Sequence, residues 1–300
     1  MVRHLYKLYG PLWPLCLAPA LFLAVLVVLG ADRIEHWAAI VGITVLAVTN
    51  RHSRDLLLAV LPGVSIALGY ETVRWLRPLF ITPERVLGCE LHRADAFMFG
   101  FGSGLAPPDL FATYHSFAAD LFFAFPYTVF WVVVMAWSVV LFFVNRALLR
   151  RFLWTLALVH LAAFVVWLAF PVAPPWYVRL AGCAIDINAA PSAAALARLD
   201  AAFGITYFEA FYSRAPTVFG AMPSLHVAFP TVALVTGWQA FSRAGRGLGV
   251  VLVIWMLVAS VYLDHHWLLD GVASIALTVA MHAGLKRCWP AYRAIANPTS

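Results

Sequence analysis

Charge is what this chain has least of. Asp, Glu, Lys and Arg make up 11% of its 300 residues, where a soluble domain carries about 25%. Acid is scarcer than base, 14 residues against 20, so the formal net charge is +6. No basic patch stands on a fold of its own, so the surplus leaves no footprint for a nucleic-acid partner. An internal repeat and a second domain are also lacking. Cysteine is sparse, with four residues at positions 16, 89, 183 and 288.

What is present is apolar. Hydrophobic residues make up 63% of the chain and the mean hydropathy is +0.86. Such a composition predicts an all-α, polytopic membrane bundle, with spans of about 20 residues each. About eight candidate spans lie near residues 12–30, 36–50, 56–76, 118–144, 152–171, 225–241, 247–263 and 266–285. The first lacks a convincing cleavage site and reads as a retained span. The whole chain reads as one integral-membrane domain, with accessory spans in 1–50 and a core in 55–285.

The few basic residues sort onto one side of this scheme. Arg3 and Lys7 precede span one. Arg51 and Arg54 separate spans two and three, and Arg146, Arg150 and Arg151 separate four and five. Arg243 and Arg246 separate six and seven, and Lys286, Arg287 and Arg293 follow eight. Short basic loops mark the cytoplasmic face, so both termini are expected there. Two long loops, 78–117 and 172–224, then face outward, and their many aromatics suit ordered caps over a site. The alanine-rich stretch 192–203 suits a helix lying along the interface. Cys89 and Cys183 fall in these loops, and two readings stay open: a disulfide in an oxidising compartment, or two packed free thiols.

Two short motifs carry the chemistry: PSLH (223–226) and HHWLLD (265–270). Pro223 and Ser224 suit a helix start, which places His226 at the outer end of span six. His266 falls at the outer start of span eight. Asp270 lies one turn deeper and reaches the His266 ring if the stretch is helical. A carboxylate-held imidazole serves as nucleophile or base, and a second imidazole as acid. Arg77, followed by Pro78, closes span three on the same side. Arginine clamps phosphate oxygens, so the convergence suits a phosphate ester.

Further candidates for substrate contact are Ser224, Arg74, Arg214, His115, Asp120, Tyr127 and Asp264. Each has a plainer reading: Glu71 and Arg74 pair at i, i+3, Asp120 satisfies a helix dipole, and Asp264 is a cap. His160, in mid-span, reads as a hydrogen-bonded packing residue. His265 points away from the nucleophile if the segment is helical. Zinc takes three or four ligands at clean spacing, and here the carboxylate is placed to orient a ring, so neither metal nor cofactor is expected. A transporter would carry its ionisable groups near the midplane and show repeats, and this chain does neither.

The order Arg-Pro, Pro-Ser-x-His and His-x-x-x-Asp resembles the type 2 phosphatidic acid phosphatase superfamily. FGAMPSLHVAFP (219–230), YLDHHWLLD (262–270) and APPW (173–176) are closer to inositol phosphorylceramide synthases and their bacterial relatives. The resemblance implies a six-helix phosphatase-like core. It implies that His266 attacks phosphorus, that Asp270 orients it, and that His226 protonates the leaving oxygen. It further implies a phospholipid donor and a lipid-alcohol acceptor, with a phosphoinositol-like group moved through a phosphohistidine. Hydrolysis of a lipid or polyprenyl phosphate is the alternative outcome of the same first step. Two positions depart from the general family pattern: Tyr70 replaces a lysine and Ser260 an arginine. Arg74, Arg179 and Arg214 are the candidate substitutes for the missing cations.

Overall fold

The computed structural model describes residues 2–28, 30 and 32–288, so Arg293 lies outside the described residues. The described chain is helical, with no strand beyond isolated bridges. It divides into two compact units, Met1–Val64 and Ser65–Ser300.

The first unit holds α1 (Val2–Tyr9), α2 (Ala18–Val28), α3 (Ile34–Val48) and the beginning of α4 (Arg51–Phe80). The segment Gly10–Leu17 is a 3₁₀ helix containing Pro14. Proline supplies no N–H for the α pattern, so α2 is shorter than the apolar run 12–30. Long-range hydrogen bonds tie the unit together: Tyr9 donates to the Ala47 carbonyl and Arg54 to that of Leu8.

The second unit continues α4 and adds α5 (Cys89–Phe99), α6 (Pro107–Thr113), α7 (Phe117–Val144) and α8 (Arg146–Ala169). There follow α9 (Pro175–Ala181), α10 (Ala197–Phe203), α11 (Tyr207–Tyr212), α12 (Leu225–Gly237), α13 (Arg243–Tyr262) and α14 (Leu268–Cys288). Among the described residues five helices are long and apolar enough to cross a membrane: α4, α7, α8, α13 and α14. Three shorter apolar helices fall at the other expected spans: α2, α3 and α12.

Side-chain oxygens set several helix starts. Ser116, Asn145 and Ser242 accept from the backbone N–H three residues on, opening α7, α8 and α13. This satisfies a donor that the helix itself leaves unpaired. Helix α12 is the central post and packs on α7, α8, α13 and α14. Its Val227, Ala228 and Val232 are fully buried. It ends at Gly237 rather than reaching residue 241, and the Phe241 ring lies where a side chain at 237 would sit.

The two long loops are ordered. The first folds into α5 and α6, the second into α9, α10 and α11. A Cys89–Cys183 disulfide joins them, which closes the question the sequence left open. Residues 194–203 are not merely interfacial, because Leu196 and Leu199 are buried in the main core.

Candidate active site

Three chain-distant segments are stitched together at one end of the bundle. Val172 donates to the Phe219 carbonyl and accepts from Ala221, while Ala173 donates to the Leu87 carbonyl. The indole of Trp267 donates to the Ala173 carbonyl at 2.8 Å, and the Trp176 N–H donates to the Asp264 carbonyl. Residues 172–176 thereby tie the segment just before PSLH to the turn that carries the second histidine motif. Buried backbone groups need partners, and here each loop supplies them to the next.

His266 does not lie on a helix. Helix α14 begins at Leu268, and residues 263–267 form a turn in which Asp264 takes a left-handed φ of 66°. The i, i+4 helical geometry is therefore corrected. Asp270, in the first turn of α14, reaches back over the turn instead. Its Oδ2 accepts from the Trp267 N–H at 2.9 Å and lies 3.5 Å from His266 Nδ1. The closer partner of Nδ1 is the Ala221 carbonyl, at 2.8 Å. A carbonyl only accepts, so Nδ1 carries the proton and Nε2 the lone pair. Asp270 is fully buried, with no hydrogen-bond partner at Oδ1.

Ser224 is the N-cap of α12 and bridges to α14. It donates its N–H to the Asp270 carbonyl and accepts from the Ser274 hydroxyl at 2.6 Å. His226, second residue of α12, faces His266 with 5.7 Å between ring centroids. Both histidines line a cavity of about 130 Å³ together with Tyr70, Tyr127, Tyr212 and His265.

An aromatic stack holds His226. The Tyr127 ring lies parallel to it at 3.9 Å, and His265 sits between Tyr127 and Tyr212 at 5.5 and 4.3 Å. His265 thus does not point elsewhere, as a helix would require, because the turn brings it into the same cavity. Burial, reinforced by the nearby His266, lowers its pKa to about 3, and it bonds the Ala193 backbone. Its ring is neutral at physiological pH.

The expected cations are not at the cavity. Tyr70, standing where the family lysine would be, lines it, but none of the lining residues is Lys or Arg. Arg77 is half-buried within α4, which runs through Pro78 to Phe80 rather than closing at 77. Arg74 pairs with Glu71 at 2.8 Å and donates to the Arg214 carbonyl, while the Arg214 side chain is exposed. Arg179 is engaged by Asp264 at 2.7 Å and by Asp109 at 3.3 Å. These partners outweigh burial and raise the already high pKa of Arg179, whereas burial raises that of Asp264.

His115 is exposed. Asp120 is a strut: it accepts from Arg198 of α10 at 2.9 Å and from the Tyr262 hydroxyl of α13 at 2.7 Å. It does not line the cavity, and neither does Asp264. His160 packs in the core and hydrogen-bonds the Leu156 carbonyl. Among the described residues no group of three His, Cys, Asp or Glu is arranged to hold a metal.

The sequence carried no pointer to Asp95. It is fully buried on α5, and its Oδ1 accepts from the Leu269 N–H at 2.9 Å, capping α14 from another segment. Burial raises its pKa to about 6, and the neighbouring Asp270 adds to the rise. No local spacing links residues 95 and 269, so only tertiary structure reveals the pair.

The PAP2 superfamily matches residues 90–284. The chain is 29% identical over 267 residues to the phosphoinositol dihydroceramide synthase of Bacteroides thetaiotaomicron, covering 86% of this chain and 85% of that protein. It is 31% identical over 128 residues to the inositol phosphorylceramide synthase catalytic subunit aur1 of Schizosaccharomyces pombe, 42% of this chain and 30% of that one. It is 33% identical over 112 residues to the corresponding subunit of Saccharomyces cerevisiae, 36% of this chain and 27% of that one. No solved structure matches the chain. The superfamily match spans well over half of the sequence and includes both histidine motifs, and with its apolar helices the chain belongs to the PAP2 superfamily as a multi-pass membrane enzyme that transfers phosphoryl groups of lipids.

Proposed function

We propose that this enzyme moves a phosphoinositol-like head group from a phospholipid to a lipid alcohol through a phosphohistidine on His266. The observation that carries the reading is the pair of facing imidazoles, 5.7 Å apart across one cavity, with His266 Nδ1 held by the Ala221 carbonyl. Nε2 of His266 is then free to attack phosphorus. As the N–P bond forms, the bond to the leaving alcohol breaks, and protonated His226 gives that oxygen its proton. Positive charge develops on His266 and is met by buried Asp270. In the second half, His226 takes the proton of the acceptor hydroxyl, the new O–P bond forms, and His266 is released.

Around His226 the cavity supplies phenols and the neutral His265 ring where the general family pattern has lysine, which suits a singly charged phosphodiester better than a doubly charged phosphomonoester. The relatives' names supply the substrate class: inositol phosphate as the group moved and ceramide or dihydroceramide as acceptor. The test is mass spectrometry of products from purified protein given phosphatidylinositol with ceramide or diacylglycerol. An inositol-phosphate lipid of the acceptor is expected. Release of free phosphate or inositol phosphate alone, with no transfer product, overturns the reading.

The site is proposed to face away from the cytoplasm. It lies at the α12 start and the α13 end, whereas Arg151 donates to the Thr236 carbonyl at the opposite end of α12. Arg146, Arg243, Lys286 and Arg287 occupy the helix ends on that opposite side, which supports a cytoplasmic assignment for it. The Cys89–Cys183 bridge between the outer loops fits an oxidising compartment.

A further inference from the structure

A second cavity, of about 420 Å³, lies beside the histidine pair and is walled by apolar side chains of α7, α12 and α13, with Phe152 of α8. Phe130 and Phe229 line its end nearest the histidines. Each lies three residues beyond a member of the stacked pair, Tyr127 on α7 and His226 on α12. The Phe130 ring is 5.0 Å from that of His226 and 4.9 Å from that of Phe229. Along α7 the lining runs from Phe125 to Trp137, and along α13 from Met256 back to Gly245. At 1.5 Å per residue this is about 16–18 Å along either helix. The rim residues Val133 and Leu248 are exposed on the outside of the bundle. Gly249 lets Leu234 of α12 pack directly against α13, since a Cβ there would come within 2.7 Å of the Leu234 side chain.

We propose that this groove seats a hydrocarbon chain of the lipid alcohol, first as the donor's leaving alcohol and then as the acceptor. The proposal rests on the reading that His226 exchanges its proton with that alcohol. The same proton relay serves both half-reactions, so both alcohols must present their oxygen at His226, and their chains share whatever apolar space adjoins it. The groove lies one aromatic ring from His226, across Phe130, spans most of the length of an extended fatty or sphingoid chain, and has a rim exposed on the outside of the bundle. A tail already in lipid gains little by leaving it. What the groove confers is fit, which positions the oxygen and selects chain length.

The test uses Ala233→Phe on α12 and Leu252→Trp on α13, which intrude from two sides. Purified full-length protein in phospholipid vesicles is given long-chain or short-chain ceramide with the same phosphatidylinositol. The ratio of long-chain to short-chain kcat/KM is expected to fall by about tenfold in each variant relative to wild type. A ceramide with a photoactivatable group in mid-chain should crosslink wild-type enzyme within 125–137, 229–241 or 245–256, which keeps the proposal open to test if a variant does not fold. An unchanged ratio with crosslinks elsewhere overturns it. So does an unchanged ratio accompanied by a changed oligomeric state, which would make the groove a seat for a second copy. Wild-type transfer from phosphatidylinositol separately decides the underlying reading, so the two failures are distinguishable.

Discussion

At the residue scale, the decisive atom is His266 Nδ1, and its nearest partner is a backbone carbonyl. The tautomer is therefore set without Asp270, which in the proposed mechanism is left to meet charge. His266→Ala is expected to abolish turnover in correctly folded protein. Asp270→Asn is expected to lower kcat by roughly 10²-fold while KM moves little. Steady-state kinetics on both variants check this, and near-normal activity in His266→Ala ends the nucleophile assignment. His226→Ala should retain slow adduct formation with a nitrophenyl phosphodiester, whose leaving group needs little protonation, yet fail with a natural lipid donor. Equal losses on the two donors would mean that His226 positions phosphate instead of donating a proton.

His265 carries a pH signature. Its folded pKa of about 3 lies below the ordinary value of 6.5, so the unfolded chain binds a proton that the folded chain refuses. Its contribution to stability is fully present above pH 6.5 and is lost as pH falls toward 3, at up to about 1.4 kcal/mol per pH unit. Asp95 runs the other way. Its folded pKa of about 6 exceeds 3.8, so its contribution is lost as pH rises between those values. His265→Phe keeps a flat ring between Tyr127 and Tyr212 and should flatten the fall in melting temperature between pH 6.5 and 4. A melting curve as acid-sensitive as wild type would show that this ring is not the titrating group.

At the scale of elements, carboxylates hold together the helix ends on the side of the site. Asp120 joins α7 to α10 and α13, Asp95 joins α5 to α14, and Asp264 joins the 263–267 turn to Arg179 of α9. The first and third stood in the sequence as candidate substrate contacts, Asp120 because it enters its span on the expected side of the site and Asp264 because it precedes a histidine motif. In the fold their carboxylate oxygens are spent on arginine and tyrosine. Asp120→Asn is accordingly expected to cost roughly 1–3 kcal/mol of stability with little change in KM for the donor lipid. Thermal unfolding in detergent beside donor kinetics checks this, and a raised KM at unchanged melting temperature would return Asp120 to the substrate site.

At the scale of the whole molecule, the chain carries its own control for the proposed sidedness. Cys288 is exposed at the end of α14, on the side where the basic residues gather. A cysteine at Ser213, exposed in the second long loop, is expected to react with a membrane-impermeant maleimide in intact cells. Cys288 is expected to react only after permeabilisation. The reverse pattern would invert the topology.

The sequence by itself determined the membrane class, because apolar runs separated by a few basic residues leave no other way to satisfy so much backbone. It also determined the two histidine motifs, whose residues lie within a few positions of each other. The positions of Asp270 and His265 were not legible there, since both arguments assumed a helix where residues 263–267 form a turn. Neither was the absence of a cation from the cavity. A basic residue is visible in a sequence, but whether its charge reaches a site depends on which carboxylates or carbonyls claim it first. Arg74 and Arg179 are claimed by Glu71, Asp264 and Asp109. Those partners, like the Ala221 carbonyl that sets the His266 tautomer, meet only when segments distant in the chain are folded together, and that is what the tertiary structure alone decided.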